Sequence, residues 1–287
     1  MDIKKVYNSK SVEEVIDLLG EYGKKAKVIA GGTDIVIALN KNVIEPEILI
    51  DISKIEELKG IREEDEYITI GSTTTFAEVV ESQIFENNLY GLHKACKMVG
   101  SPQIRNKGTI GGNIANGSPA ADSVPPLMAL DSIVTLKSID GIREISLEDY
   151  YLNPIKEKEL LINIRFKRPK DNQILTFAKL GLRKALAISR LTLSSYIEFE
   201  DKTIDSIRVA SGALAKFPMR EKEVEDYLLG KSLEEKTIEG AIEVLRNSMD
   251  ERLKGRSTLP YKRVAISTIL REILEEALAI EEGVKAW

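Results

Sequence analysis

Two short glycine segments constrain the fold and function of this 287-residue chain more than any other feature. The first glycine segment, residues 30–34, reads AGGTD, and the second, residues 109–113, reads TIGGN. Glycine has no Cβ and tolerates positive φ, so paired glycines let an anionic ligand reach main-chain amides. Neither segment has the G-x-G-x-x-G spacing of a dinucleotide-binding unit or the Gly-Lys-Ser/Thr of a P-loop. Each alone is more typical of an ordinary turn, whereas the two together suit a diphosphate.

The composition is that of a globular protein with a sizeable core, since 43% of the residues are hydrophobic and 30% are charged. The length is enough for two domains of ordinary size. The net charge of -5, with both signs mixed along the chain, leaves no broad basic face for nucleic acid. The longest apolar runs, such as 35–39, are too short for a membrane span or a signal core. We therefore expect a cytoplasmic protein with no membrane or nucleic-acid partner.

The chain has a single cysteine, Cys96, and a single histidine, His93, placed three residues apart in one predicted helix. Two such residues cannot supply the four ligands of a structural zinc site or an iron-sulfur cluster. A Cys-His nucleophile pair stays an alternative at this spacing, although a buried thiol beside a half-exposed histidine is favoured. We therefore predict no metal ligand and no catalytic acid, base or nucleophile in this chain.

The first 60 residues predict a strand-turn-helix-strand unit around the first glycine segment. Ser11 opens a helix with a capping box, and apolar residues at helical spacing follow it. Residues 27–30 predict a short buried strand that leads into the glycines. Asp34 is placed to cap a helix that runs to about Asn40, and 47–52 predict the next strand.

Further along, the pattern changes from mixed elements to an antiparallel sheet. The stretch 100–126 reads as one long irregular segment that contains the second glycine segment. The natural boundary between domains lies near 168–171. The remaining predicted elements are strands 67–71, 160–166, 174–177, 191–199 and 204–213, a hairpin at Asp140-Gly141, helices opened by Thr75, by about Asn88 and by Ser232, and a last helix after Pro260.

Five segments of the chain are distinctive when taken together: KVIAGGTD at 27–34, GSPQIRN at 100–106, TIGGN at 109–113, AADS at 120–123 and YKR at 261–263. They closely resemble the flavin subunit of the molybdenum hydroxylases, and most strongly the FAD-binding subunits of bacterial xanthine dehydrogenases. The resemblance covers essentially the whole chain.

The resemblance implies an α+β fold. Residues 1–170 would form a two-subdomain FAD-binding domain of the vanillyl-alcohol-oxidase type, split near 55–60. Residues 171–287 would form a C-terminal antiparallel sheet with helices, of the molybdenum hydroxylase flavoprotein type.

The resemblance also implies the cofactor-binding residues. The two glycine motifs would hold the FAD diphosphate through backbone amides and hydroxyls, and Asp122 would lie near the ribityl chain and flavin. Leu161 would pack against the isoalloxazine, Lys179 would lie beside it, and Val99 stands where animal relatives have an aromatic residue over one flavin face. The motif residues are Lys27, Val28, Ile29, Ala30, Gly31, Gly32, Thr33, Asp34, Thr109, Ile110, Gly111, Gly112 and Asn113.

The implied function is electron relay in a heteromeric oxidoreductase. A molybdenum-pterin subunit would hydroxylate a purine or related aromatic heterocycle, and a [2Fe-2S] subunit would carry electrons to the FAD of this chain. The reduced FAD would pass them to NAD+ or another acceptor. On this basis we expect a valine at Gly32 or Gly111 to abolish FAD retention in a folded chain, and Lys179→Ala to change the flavin potential more than the stability.

Three alternatives stay open from the residues alone. They are a self-contained FAD-dependent reductase on the same fold, a subunit that binds a nucleotide without redox chemistry, and a scaffold that binds no flavin. The C-terminal domain has no evident acid-base pair for a self-contained reductase.

Overall fold

The computed structural model describes residues 3–153, 158–181 and 188–284. Its strands are β1 (Lys5–Asn8), β2 (Ala26–Ile29), β3 (Ile48–Asp51), β4 (Ile61–Glu64), β5 (Tyr67–Gly71), β6 (Ile133–Ser138), β7 (Gly141–Ser146), β8 (Leu160–Lys167), β9 (Gln173–Gly181), β10 (Ser189–Glu200), β11 (Thr203–Gly212) and β12 (Met219–Arg220). Its α-helices are α1 (Val12–Tyr22), α2 (Ile35–Asn40), α3 (Phe76–Glu81), α4 (Tyr90–Lys97), α5 (Pro102–Arg105), α6 (Ile110–Asn116), α7 (Val124–Ala129), α8 (Leu147–Leu152), α9 (Lys222–Leu228), α10 (Glu235–Arg252) and α11 (Leu259–Glu281). None of the described helices is long and apolar enough to span a membrane.

Two compact units divide the chain, and each is assembled from separate stretches of sequence. The predicted domains 1–170 and 171–287 stay a prediction, because the compact units interleave along the chain. The first unit consists of Met1–Val79, Ser101–Asn116 and Ser132–Lys167, and the second of Val80–Gly100, Gly117–Asp131 and Arg168–Trp287.

A parallel sheet in the order β1-β3-β2 begins the first unit. The Ser11 hydroxyl accepts a hydrogen bond from the Glu14 N–H at 3.2 Å, which confirms the predicted helix cap. The α1 helix packs its apolar face on this sheet, and the predicted strand-turn-helix-strand unit is present. The buried residues of that face are Val12, Val15, Ile16, Leu18 and Leu19.

A five-stranded antiparallel sheet, in the order β4-β5-β8-β6-β7, completes the first unit. The predicted hairpin joins β6 to β7, and Gly141, the first residue of β7, has φ of +125°. The predicted box at Thr75 is reciprocal, because the Thr75 N–H donates to the Glu78 carboxylate and the Glu78 N–H donates to the Thr75 hydroxyl. These local signals were sufficient to place both elements.

The second unit is built on a four-stranded antiparallel sheet in the order β12-β11-β10-β9. Helices α4 and α11 both contact β9. The Thr176 hydroxyl donates to the Ile273 carbonyl of α11 at 3.0 Å, and Gly91 of α4 lies against the main chain at Leu175. The core of this unit packs the apolar residues of α9, α10 and α11 against the sheet. The predicted α+β class, with a C-terminal antiparallel sheet and helices, is confirmed.

The stretch 100–126 is not irregular, and the prediction there was wrong. It contains α5, α6 and the start of α7. Proline begins α5 after the Ser101 cap, and two prolines lie in the first turn of α7. Proline is tolerated at the start of a helix because the N–H that it lacks has no helical acceptor there. Residues that usually indicate loops therefore occupy helix starts.

Two smaller differences concern the C-terminal half. The N-cap of α10 is Glu234 rather than the predicted Ser232. The short elements α9 and β12 have no counterpart among the sequence predictions.

The contact between α4 and β9 can be tested with a pair of glycine variants. A methyl group at Gly91 would lie 2.8 Å from the Leu175 carbonyl oxygen, so Gly91→Ala should destabilise the chain by about 1–3 kcal/mol. The control is Gly20→Ala in α1, where a methyl group would meet only Ile139 at 3.8 Å. Alanine has the higher helix propensity, so the control should stabilise by about 0.5–1 kcal/mol. Urea unfolding followed by circular dichroism measures both, and equal effects would contradict the close contact.

Candidate functional site

The first glycine segment connects β2 to α2 in the first unit. Gly32 has φ of +74°, in the left-handed region that favours glycine. Asp34 occupies the predicted N-cap position of α2, but its side chain makes no capping hydrogen bond. Because α2 has only six residues, its dipole adds little, and an anion here would be held mainly by hydrogen bonds.

The main-chain N–H groups of this segment are available to a ligand. Within the described residues, none of the N–H groups of Gly31, Gly32, Thr33 and Asp34 donates to a backbone carbonyl. Backbone donors are normally paired, and successive unpaired N–H groups in a turn form an anion-binding concavity. The segment therefore fits the phosphate oxygens of a nucleotide cofactor.

Gly31 brings the first glycine segment against the main chain that directly precedes the second. A methyl group at Gly31 would overlap the Lys107 carbonyl oxygen and lie 3.1 Å from the Gly108 nitrogen. Only glycine permits this approach. The structure thus joins two segments that are distant in sequence, as their shared chemistry suggested.

Four main-chain N–H groups of the second glycine segment donate to acceptors within the protein. These four are therefore not available to a ligand in the way that the sequence suggested, whereas the Thr109 hydroxyl, which accepts one of them, can still donate to a ligand. The Ile110 N–H donates to the Thr74 carbonyl, that of Gly111 to the Ser72 carbonyl, that of Gly112 to the Thr109 hydroxyl, and that of Asn113 to the Thr109 carbonyl.

Gly111 is a packing residue. A Cβ at this position would lie 2.5 Å from the Ser72 carbonyl oxygen and 2.6 Å from the Ser72 Cβ. A valine here would therefore disturb the fold itself. The expectation that such a variant loses only the cofactor was wrong.

In the second unit, Asp122 and Lys179 form a buried ion pair. The Lys179 Nζ lies 2.5 Å from Asp122 Oδ2, and the two side chains are only 4% and 8% exposed. The same Nζ donates to the Met98 carbonyl at 3.0 Å, and the Ser189 hydroxyl donates to Asp122 Oδ1. We name these four residues the Asp122 cluster.

The cluster holds a carboxylate in surroundings that disfavour its charge. Burial raises the pKa of Asp122 above its ordinary value, and the Lys179 charge and the hydrogen bonds from Lys179 and Ser189 oppose that rise. Met98 is the C-cap of α4, so its carbonyl lies at the negative end of that helix. The Lys179 ammonium is thus held between a carboxylate and a helix terminus.

Sequence reasoning found Asp122 and Lys179 but missed Ser189 and the Met98 carbonyl. A backbone acceptor has no sequence signal, and a serine in a strand is common. Of the remaining predicted residues, Leu161 is buried in β8 opposite Leu136, and Val99 is half-buried after α4. Lys27, Val28 and Ile29 belong to β2, and Ala30 follows it. Arg183 and Lys184, which follow Lys179 in the sequence and could also favour an anionic reduced flavin, lie outside the described residues.

The geometry does not support a Cys96-His93 nucleophile pair. Cys96 is fully buried, and burial together with the Asp122 charge raises the pKa of its thiol. A thiol kept protonated is a poor nucleophile. His93 stacks on Tyr90 at a centroid distance of 5.0 Å, and burial lowers its pKa.

Family comparisons agree with these features. The FAD binding domain in molybdopterin dehydrogenase matches residues 2–168, and the CO dehydrogenase flavoprotein C-terminal domain matches residues 176–277. The fold and the paired glycine segments thus define a flavin-binding protein.

Individual relatives extend over nearly the whole chain. The nicotinate dehydrogenase FAD-subunit of Eubacterium barkeri is 32% identical over 283 residues, with 96% of each chain covered. The xanthine dehydrogenase FAD-binding subunit of Escherichia coli O157:H7 is 28% identical over 288 residues, with 98% of each covered. A chain of the carbon monoxide dehydrogenase structure from Hydrogenophaga pseudoflava superposes with a TM-score of 0.91 at 29% identity, covering 97% of this chain and 98% of that one.

The chain therefore belongs to the FAD-binding flavoprotein family of the molybdopterin dehydrogenases. Within that family it is an oxidoreductase subunit, with an FAD-binding domain followed by a flavoprotein C-terminal domain.

The ion pair adds a stability role to Lys179 that the sequence did not suggest. Lys179→Met should destabilise the flavin-free chain by about 3–5 kcal/mol at neutral pH, because it leaves a buried carboxylate unpaired. The double variant with Asp122→Asn should lose less than the sum of the two single variants. Urea unfolding measures all three, and strict additivity would contradict the pair.

The pH dependence of this loss has a definite sign. Without Lys179 the pKa of Asp122 rises further, so the native state takes up a proton more readily than the unfolded chain. The destabilisation of Lys179→Met should therefore shrink as the pH falls toward about 4, near the unfolded pKa of aspartate. A deficit that is constant between pH 4 and 7 would show that Asp122 is not the group involved.

Proposed function

We propose that this chain is the FAD-carrying subunit of a multi-subunit molybdenum hydroxylase. In that role it accepts electrons from iron-sulfur clusters on one partner while a molybdenum-pterin partner hydroxylates the substrate. The observation that carries the proposal is the contact of Gly31 with Lys107, which brings together the two motif segments, the first of which has N–H groups at 31–34 without backbone acceptors. That arrangement suits a cofactor with a diphosphate.

The binding roles of the chain follow from its free donors. The N–H groups of Gly31, Gly32, Thr33 and Asp34 would hold the FAD diphosphate, and the Thr109 hydroxyl would add one more donor. Hydrogen bonds to a charged phosphate are stronger than those between neutral groups. They would take the role that the lysine side chain has in a P-loop. When bound, FAD supplies a redox centre that exchanges electrons singly or in pairs.

The remaining predicted residues would shape the surroundings of the flavin. The buried Leu161 side chain offers an apolar surface, and Val99 offers a smaller cover than an aromatic residue. Lys179 and Asp122 would place a paired charge near the cofactor. The chain would bind, orient and tune FAD without a catalytic acid or base of its own.

The relatives guide the choice of substrate and acceptor. One of the matched subunits belongs to a nicotinate dehydrogenase and another to a xanthine dehydrogenase. Both of these relatives are named after a nitrogen heterocycle. We propose a purine or related aromatic heterocycle as the substrate of the complex. NAD+ or another acceptor would receive the electrons, and the complex would be cytoplasmic.

An anaerobic spectrum tests the proposal directly. The purified chain should show a flavin absorption spectrum, either as isolated or after added FAD, and NADH should bleach it. Bleaching would support NAD+ as the acceptor. A flavin that NADH does not reduce would contradict NAD+ as the acceptor and favour another one. A chain that does not bind FAD would contradict the proposed function.

A matched pair of glycine variants tests the first glycine segment. Gly32 and Gly60 both have positive φ, of +74° and +82°, and both lie in the first unit. Alanine at either position should lower the free energy of unfolding by about 1–2 kcal/mol, because a residue with a Cβ is strained in the left-handed backbone conformation. Only Gly32→Ala should weaken FAD binding, because only at Gly32 would the backbone strain displace the N–H groups of residues 31–34. Titration of the flavin-free variants with FAD measures this difference, and equal affinities in the two variants would contradict the assignment.

A further inference from the structure

Ser189 is the one member of the Asp122 cluster that contributes a side chain for which neither the sequence motifs nor the family resemblance suggests a role. It is 5% exposed, and its hydroxyl donates to Asp122 Oδ1. Lys179 donates to the other carboxylate oxygen, Oδ2, at 2.5 Å. Each oxygen of the buried carboxylate therefore has one strong donor in the cluster.

The two donors have different consequences for the charge of the cluster. A hydrogen bond to an ionised carboxylate favours the ionised form, whereas burial favours the protonated form. Within the part of the chain that the structure describes, the groups that face Asp122 are Lys179 from β9, Ser189 from β10 and the Cys96 thiol from α4. The thiol is kept neutral by its burial. Ser189 is thus the donor that helps Asp122 to stay ionised without adding a charge.

The ionisation of Asp122 decides the net charge that Lys179 presents. With an ionised Asp122 the pair is neutral overall, and with a protonated Asp122 the ammonium charge is uncompensated. Lys179 remains fixed in either case by its bond to the Met98 carbonyl at 3.0 Å. A change at Ser189 therefore alters the net charge of the Asp122–Lys179 pair, because it changes the protonation of Asp122.

We propose that Ser189 is a positioning residue that keeps Asp122 ionised and aligned against Lys179, and so limits the positive charge that Lys179 exerts on the flavin. This inference rests on the proposed function, in which Lys179 lies beside the isoalloxazine. Removal of the Ser189 hydroxyl shifts Asp122 toward its protonated form. The uncompensated ammonium then stabilises the anionic reduced flavin and moves the flavin midpoint potential to more positive values.

Three variants of the full chain separate this role from simple packing. Ser189→Ala removes the hydroxyl, and Ser189→Cys replaces it with a weaker donor of similar size. The control is Ser194→Ala on the same strand, where a fully buried hydroxyl donates to the Thr176 carbonyl at 2.6 Å. The control loses one buried hydrogen bond but does not touch the Asp122 cluster.

The first measurement uses the flavin-free chain. Infrared titration detects the protonated carboxyl band of Asp122, which the Asp122→Asn variant identifies by its absence. The band should appear at higher pH in Ser189→Ala than in the wild type, with a smaller shift in Ser189→Cys and no shift in Ser194→Ala. An unchanged titration in both Ser189 variants would overturn the proposal.

The second measurement uses the FAD-loaded chain. Its midpoint potential should become more positive in Ser189→Ala and stay at the wild-type value in Ser194→Ala. Equal shifts in the two alanine variants, or no shift in Ser189→Ala, would overturn the proposal. If the wild type binds no FAD, the proposed function fails, and the infrared titration still decides whether Ser189 controls the charge of Asp122.

Discussion

The approach of Gly31 to the Lys107 carbonyl is the constraint on which the rest of the candidate site depends. A side chain at Gly31 would separate the two main-chain segments, because it would overlap the carbonyl oxygen. With glycine there, the first glycine segment is fixed between a strand and a six-residue helix while its N–H groups remain without backbone acceptors. Unpaired backbone donors raise the free energy of a folded chain unless water or a ligand accepts their hydrogen bonds. Because residues 31–33 are half-buried and Asp34 is exposed, a diphosphate bound here would replace water as the acceptor of these hydrogen bonds.

The sequence predicted most of the architecture because the relevant signals are local. Capping residues such as Ser11 and Thr75 make the predicted hydrogen bonds, and alternation of apolar residues located β8 and the C-terminal sheet. The stretch 100–126 failed because proline and glycine indicate loops and helix starts alike, and the choice between them depends on tertiary packing. Gly111 shows the same limit: the sequence gives a glycine, but only the neighbouring Ser72 main chain shows that it is needed for packing.

The polar part of the candidate site was harder to predict. Asp122 and Lys179 came from the family resemblance, whereas their ion pair depends on the contact of the segment before α7 with β9. Ser189 reaches Asp122 because of its position in strand β10, and Met98 contributes only its main-chain carbonyl at the end of α4. No sequence pattern encodes such convergence, because it requires long-range packing to bring four separate stretches together. The cost of burying the carboxylate explains why each of its oxygens accepts a hydrogen bond from a neighbouring side chain.

The interleaving of the two units has a consequence for how such a protein is made and inherited. The chain passes between the units at residues 79, 100, 116, 131 and 167, so no continuous stretch of the gene encodes the whole of either unit. A nascent chain that has emerged only to residue 131 still lacks the third stretch of both. Recombination within this gene cannot exchange one unit for that of a relative in a single crossover. Diversification is therefore expected to proceed by substitutions within the chain.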